Sequence, residues 1–214
     1  GGISNLVTGY VNGLQIGGIH NHITKSLNGV QVSGITNWVQ DSLTGLQIAG
    51  ISNVNQGETH GFQLAGIHNI STKSIRGGQV SGISNQALAQ MSGVQISLIN
   101  YAKINKGLQL GLINVADSTN GLALGLFNYV KNGFHPIEVF TNDIFDFNVA
   151  FKSGIDYFYV TYTIGLRPDH PHFFGLGAGI GTKINTFKWL SFSLDLTGTM
   201  VHENEELYRE LNMV

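Results

Sequence analysis

The sequence predicts an all-β protein: a short-coil parallel β-solenoid of 14–16 residues per coil, followed by an antiparallel β-meander. Three observations predict it. Glycines at Gly13, Gly29, Gly45, Gly61, Gly77 and Gly93 recur every 16 residues, and Gly107 and Gly121 then follow at steps of 14. Each copy carries a glutamine two residues after its glycine, replaced by Ala123 in the copy from Gly121, and an asparagine further on, in constant phase. After Gly133 the repeat stops and long runs of alternating apolar and polar residues begin. A fixed short period means stacked architecture, and 14–16 residues are too few for a helical-pair repeat. The expected division is therefore 1–133 for the repeat solenoid and 134–214 for a cap segment with antiparallel strands.

Composition narrows the function classes. Charged residues make up 11% of the 214 residues, about half the usual share, whereas Gly reaches 29 and Pro only 3. Low charge with abundant glycine and no low-complexity run argues for ordered β structure. A net charge of -2 gives no electrostatic reason to expect nucleic acid as a partner. With no cysteine there are no disulfides, no thiol catalysis and no thiolate metal site. No run of 18 apolar residues is present, and no signal peptide is visible. The chain opens in mid-repeat at Gly1-Gly2-Ile3-Ser4-Asn5, which reads as a processed or truncated N-terminus.

Two residue rows define the coil. Gln15, Gln31, Gln47, Gln63, Gln79, Gln95 and Gln109 share one position, and Asn21, Asn37, Asn53, Asn69, Asn85, Asn100, Asn114 and Asn128 share another, with Asn5 preceding them. In GLQLGLIN, Leu108, Leu110 and Leu112 alternate with Gln109 and Gly111, the period of a strand with one buried face. On that pattern Leu14, Ile16, Val30, Val32, Leu46 and Ile48 point inward, and Gln lies outward beside Gly17, Ser33, Ala49, Ala65, Ser81 and Ser97. Gly18, Gly34, Gly50, Gly66 and Gly82 would bend the chain so that Ile19, Ile35, Ile51, Ile67 and Ile83 return to the core. Leu27, Leu43, Ile75 and Met91 form a second inward set. Stacked coils would place the Asn residues in a column of mutually bonded amides, with left-handed backbone tolerated at the corner. The alternative geometry is an antiparallel meander with one hairpin per repeat.

Beyond the repeats, residues 134–147 read as an irregular aromatic cap. Phe158, Val160, Tyr162, Ile164 and Leu166 then alternate with polar or small residues, as do Phe174, Leu176, Ala178 and Ile180, and as do Leu190 to Met200. Such strands suit a meander and equally the staves of an outer-membrane barrel, although four or so strands cannot close one. The tail 202–214 ends without a terminal strand, so the C-terminus also reads as cut short.

The iterated motif resembles a family of bacterial surface-repeat proteins marked by GLQxGLxN, of which GLQLGLIN at Gly107 to Asn114 is a near-ideal copy. The likeness is close over residues 93–133 and looser, as GxQxxGIxN, over residues 1–92. It implies a secreted or outer-membrane-associated β-rich bacterial protein and brings no catalytic residue with it.

Candidate chemistry is sparse. His20 and His68 occupy equivalent positions three coils apart, too far for one ion; His22 neighbours the first, and His170-Pro171-His172 lies in a turn. Thr24-Lys25-Ser26 and Thr72-Lys73-Ser74 lack a phosphate-loop context. Glycines 175–181 lie in a strand pattern and not before a helix, which argues against a dinucleotide fingerprint. Asp143 with Asp146 reads as a turn, and Glu203, Glu205 and Glu206 as a solvated tail. No nucleophile elbow is present. No residue set calls for a metal or a cofactor. The expected role is a non-enzymatic cell-envelope surface module, structural or adhesin-like, located at the surface or outer membrane. Its partners would be another envelope protein or a surface polymer, with the Gln row as the candidate binding face. The alternative is an outer-membrane β-barrel or channel component with a projecting solenoid. A carbohydrate-active enzyme on a β-helix is the third reading, and coils this short leave it little room for a groove.

Overall fold

The computed structural model describes residues 2–170, 172–187 and 190–203, and no helix occurs among them. The chain forms two compact units, Gly1–Asn132 and Gly133–Val214. The first is a parallel β-solenoid of about eight turns; the second is a five-stranded antiparallel sheet.

The solenoid strands run β1 (Ser4–Val7), β2 (Val11–Gly17), β3 (His20–Ile23), β4 (Leu27–Ser33), β5 (Thr36–Val39), β6 (Leu43–Ala49), β7 (Ser52–Asn55) and β8 (Thr59–Ala65). They continue as β9 (His68–Ser71), β10 (Ile75–Ser81), β11 (Ser84–Ile96), β12 (Ile99–Asn105), β13 (Leu108–Leu110), β14 (Ile113–Thr119), β15 (Leu122–Leu124) and β16 (Phe127–Val130). In the 16-residue coils a seven-residue strand alternates with a four-residue strand, and each pairs in parallel with its equivalent one coil away. Gln31 opposes Gln15 and Gln47, and Asn37 opposes Asn21 and Asn53, so the register is identity on identity. The hairpin-per-repeat alternative is thereby excluded.

The change of period from 16 to 14 has a local cause. Between the Gln and Asn columns, Gln79 to Asn85 is six steps and Gln95 to Asn100 is five; the register then shifts between Ala87 and Gln90 against β12. One residue is therefore lost at each corner of the coil, which leaves both columns in line.

The interior reverses the expected facing of the long strand. Gln31, Gln47, Gln63, Gln79, Gln95 and Gln109 are fully buried, whereas Leu14 is 64% and Ile16 54% exposed. The small residues Ser33, Ala49, Ser81 and Ser97 lie inside with the glutamines, and Ile19, Ile35, Ile51, Ile67 and Ile83 stand exposed at the bends instead of returning to the core. The reason is volume. A 14–16-residue coil encloses a single layer of side chains, and Gln and Asn beside Gly, Ser or Ala fit it, whereas Leu and Ile from the same strand would overfill it. Aliphatic packing is confined to the other side of the lumen. Ile23, Leu27, Val39 and Leu43 form one cluster, and Ile75, Ala87, Met91 and Ala102 form another.

Glycine is required at the start of each repeat. Gly29, Gly45, Gly61, Gly77 and Gly93 have φ between +127° and +141°, and a Cβ on any of them would collide with the carbonyl oxygen of the equivalent glycine one coil earlier. The asparagines, by contrast, hold no left-handed backbone, since no non-glycine residue has positive φ among the described residues. In the 16-residue coils the corner is the Gly-Ile pair before each Asn.

The second unit is an antiparallel meander of β17 (Ile137–Phe140), β18 (Phe147–Ile155), β19 (Phe158–Leu166), β20 (Phe173–Phe187) and β21 (Leu190–Glu203), paired in chain order. The segment 134–147, expected to be irregular, supplies β17 and the buried Phe145. That ring lies over Gly165 and Gly175, where any Cβ would overlap it.

Replacing Asn53 by Ala would take one acceptor from Asn37 Nδ2, which keeps the Ile48 carbonyl, and would remove the side-chain donor to Asn69 Oδ1 and to the Leu64 carbonyl. The expected cost is about 3–5 kcal/mol by denaturant unfolding. Ile96→Thr, on the outer face, should cost less than about 1 kcal/mol.

Candidate functional site

The two amide columns are the most regular polar feature of the molecule. Each Asn side chain spans two coils. Asn21 Nδ2 donates to Asn37 Oδ1 at 3.0 Å and to the Val32 carbonyl at 2.7 Å; Asn37 repeats this with Asn53 and Ile48. The ladder continues through Asn69, Asn85, Asn100 and Asn114 to Asn128 at 2.9–3.1 Å. The backbone carbonyl it reaches is the last but one before each bend, so the ladder also fastens the corner. Gln31 Nε2 donates to Gln15 Oε1 at 2.8 Å, and Gln47, Gln63, Gln79, Gln95 and Gln109 follow at 2.8–2.9 Å.

These glutamines therefore face the lumen, bond one another and present no amide outward. The expectation that Gln15 to Gln109 form an outer binding face is corrected on this point. Sequence reasoning erred because a residue in strict identity register serves equally as an outer array or an inner ladder. The discriminating signal was the company of Gly, Ser and Ala, which mark the crowded side of the strand.

What the outer face does carry was missed as a site. Beside the buried glutamines stand two apolar columns, Leu14, Val30, Leu46 and Phe62 in one and Ile16, Val32, Ile48 and Leu64 in the other, with the exposed corner isoleucines as a third. No charged residue lies in any of the three columns. The charges of these coils sit at the opposite bend or at the strand start: Lys25, Asp41, Glu58, Lys73 and Arg76. The columns line a strip of roughly 600 Å² with a gap at Gly78, from about eight coils at 4.8 Å by about five residues at 3.3 Å. That is at the upper end of the largest patch on an ordinary monomer.

The short strands show a mixed outer face. His22 stacks on Trp38 with ring centroids 5.2 Å apart and meets His20 edge-on at 6.1 Å, while His68 Nε2 bonds Ser52 Oγ at 2.8 Å. His20 and His68 are not brought together, His170 and His172 lie exposed in their turn, and no group of three metal-ligating side chains forms among the described residues. Asp143 is an exposed loop residue and Asp146 is paired with Arg167 at 3.8 Å; Glu203 ends β21, and Glu205 and Glu206 lie outside the described residues.

In the second unit the polar face of the sheet holds an ion cluster. Lys152, 3% exposed, lies 2.9 Å from both Glu138 and Asp195. Thr161, Thr163 and Thr197 line the same cavity of about 300 Å³. One ammonium between two carboxylates satisfies itself and offers no nucleophile-base pair. No protein-family model, curated protein or solved structure matches the chain.

His22 titrates below the usual histidine value, first because burial strips water from its ring and second because His20 repels the added proton. Its contribution to stability is therefore complete above about pH 6.5, the unfolded-state value, and is lost as pH falls from there toward the folded-state pKa. Between about pH 7.5 and pH 5.5 the wild-type melting temperature should fall further than that of His22→Gln, measured by circular dichroism. Equal falls would remove the assignment.

Proposed function

We propose that this chain is a non-enzymatic structural or binding module of the bacterial cell envelope, an adhesin-like surface repeat protein that docks through the apolar outer strip of its solenoid. The observation that carries the reading is the charge-free strip itself. Exposed and half-exposed Leu, Val and Ile stand in columns interrupted only at Gly78, while the lumen is filled without them, and they mark a surface that another apolar surface covers. The amide ladders support it indirectly: they spend their hydrogen bonds inside and hold the strip flat. The GLQxGLxN resemblance supports an envelope setting, at the cell surface or outer membrane. The partner chemistry is an envelope protein with an exposed apolar sheet or groove, or an apolar-faced surface polymer; neither a cofactor nor nucleic acid enters this reading.

The test is sedimentation of the purified protein with bacterial envelope fragments. The double variant Ile48→Lys, Leu64→Lys places two charges in the strip without touching the ladders. Binding should fall by about tenfold or more while the melting temperature holds. Unchanged binding would overturn the strip as the docking surface.

A further inference from the structure

We propose that the apolar face of the antiparallel sheet contacts the hydrocarbon of a lipid bilayer, a role independent of the docking role of the solenoid strip. The five strands divide their residues by face with little mixing. On one face Ile164, Leu176, Ile180, Leu194, Leu196 and Met200 stand open, with Leu196 at 74% and Met200 at 84% exposure. Every charged residue within the described parts of β17–β21, namely Glu138, Lys152, Lys183, Asp195 and Glu203, projects from the other face. A protein in water would turn the first face inward; here the second, with its ion cluster and threonines, is the buried one.

The dimensions fit a bilayer. Along β20 the apolar positions run from Phe174 to Ile184, ten residue steps. At about 3.4 Å per residue and a strand tilt of about 40° that is a height of about 26 Å, against an apolar band of about 25 Å in transmembrane barrels. Aromatic side chains gather at the two ends of this band: Phe147 and Phe174 at one, Tyr157, Phe158 and Phe187 at the other. Charged turn residues stand at these ends, Asp156 level with Lys183 at one and Arg167 and Asp169 at the other.

Polarity thus changes along the strand axis only. A patch that docks a second copy is ringed by a polar rim on all sides, including its lateral strands. This face keeps its apolar character to both lateral edges: Ile137 and Val139 on β17 are exposed, as are Leu194 and Leu196 on β21. A band bounded along one axis and open along the other is the symmetry of a membrane. Hydrocarbon tolerates no unpaired backbone, so the outer edges of β17 and β21 meet further strands there.

The chain has no cysteine, so single labels report single positions. Full-length Leu196→Cys and Thr197→Cys, each carrying a nitroxide, are mixed with vesicles of phosphatidylcholine and phosphatidylglycerol. Collision with dissolved oxygen and with a water-soluble nickel chelate is then measured. Position 196 should become oxygen-accessible and shielded from nickel, and position 197 should not follow it. Leu196→Lys, an exposed position whose replacement disturbs no packing, should lower vesicle partitioning by roughly thirty-fold or more while the circular dichroism spectrum holds. The proposal is overturned if the wild-type chain does not partition into vesicles, or if position 196 remains open to nickel when it does. Shielding of position 196 that rises with protein concentration in the absence of lipid would also overturn it, in favour of a second copy.

Discussion

A buried primary amide must be given both a donor and an acceptor, and the solenoid depends on how this chain supplies them. Inside a single-layer lumen no water is at hand, so each Asn or Gln is bonded by the same residue directly above and below it, with backbone carbonyls as further acceptors. That requirement holds the two columns in register from coil to coil, because a slip of one residue there would break every amide-to-amide rung. The two ladders run in opposite senses: Asn Nδ2 donates toward the following coil, Gln Nε2 toward the preceding one. Their dipoles therefore oppose each other instead of accumulating along the rod. Where Ala123 replaces glutamine, the Gln109 Oε1 that would have accepted from the next rung is met by Asn105 Nδ2 at 3.3 Å.

The same requirement decides what the surface looks like. Once the crowded side of the long strand is given to Gln, Ser, Ala and Gly, strand alternation leaves Leu, Val and Ile outside. In the middle of the solenoid even the aliphatic side of the lumen turns polar. Asn55, Thr59 and Ser71 bond one another and hand a hydrogen bond on to Gln63 Oε1 at 2.9 Å, which separates the two aliphatic clusters. Stability is thus carried by stacked hydrogen bonds and two small apolar clusters, and the bulk of the long-strand aliphatic surface is left for contact with something else.

The antiparallel sheet reaches a similar inversion by different means. No ladder is involved; glycines at 175, 177, 179 and 181 open the polar face so that Phe145, Tyr159 and the threonines lie flat against backbone. With that face filled by aromatic plates and the Lys152 cluster, the aliphatic residues of β19–β21 are again on the outside. In each unit polar or glycine-rich positions lie beneath and aliphatic positions above, and it is this shared arrangement that directs both functional readings toward apolar partners.

Much of this was legible in the chain itself. Period, identity of the Gln, Asn and Gly rows, parallel register and the switch to long antiparallel strands all follow from residue spacing, because repeats in constant phase are rewarded only by in-register stacking. The inward set Leu27, Leu43, Ile75 and Met91 was legible too, since it alternates correctly with its neighbours. The face of the long strand was not. An alternating strand states which residues share a side, but not which side is inside, and the usual preference for burying Leu over Gln points the wrong way here. Only the closed coil decides it: its narrow lumen admits one layer of small residues and self-paired amides, and it leaves the larger aliphatic side chains outside.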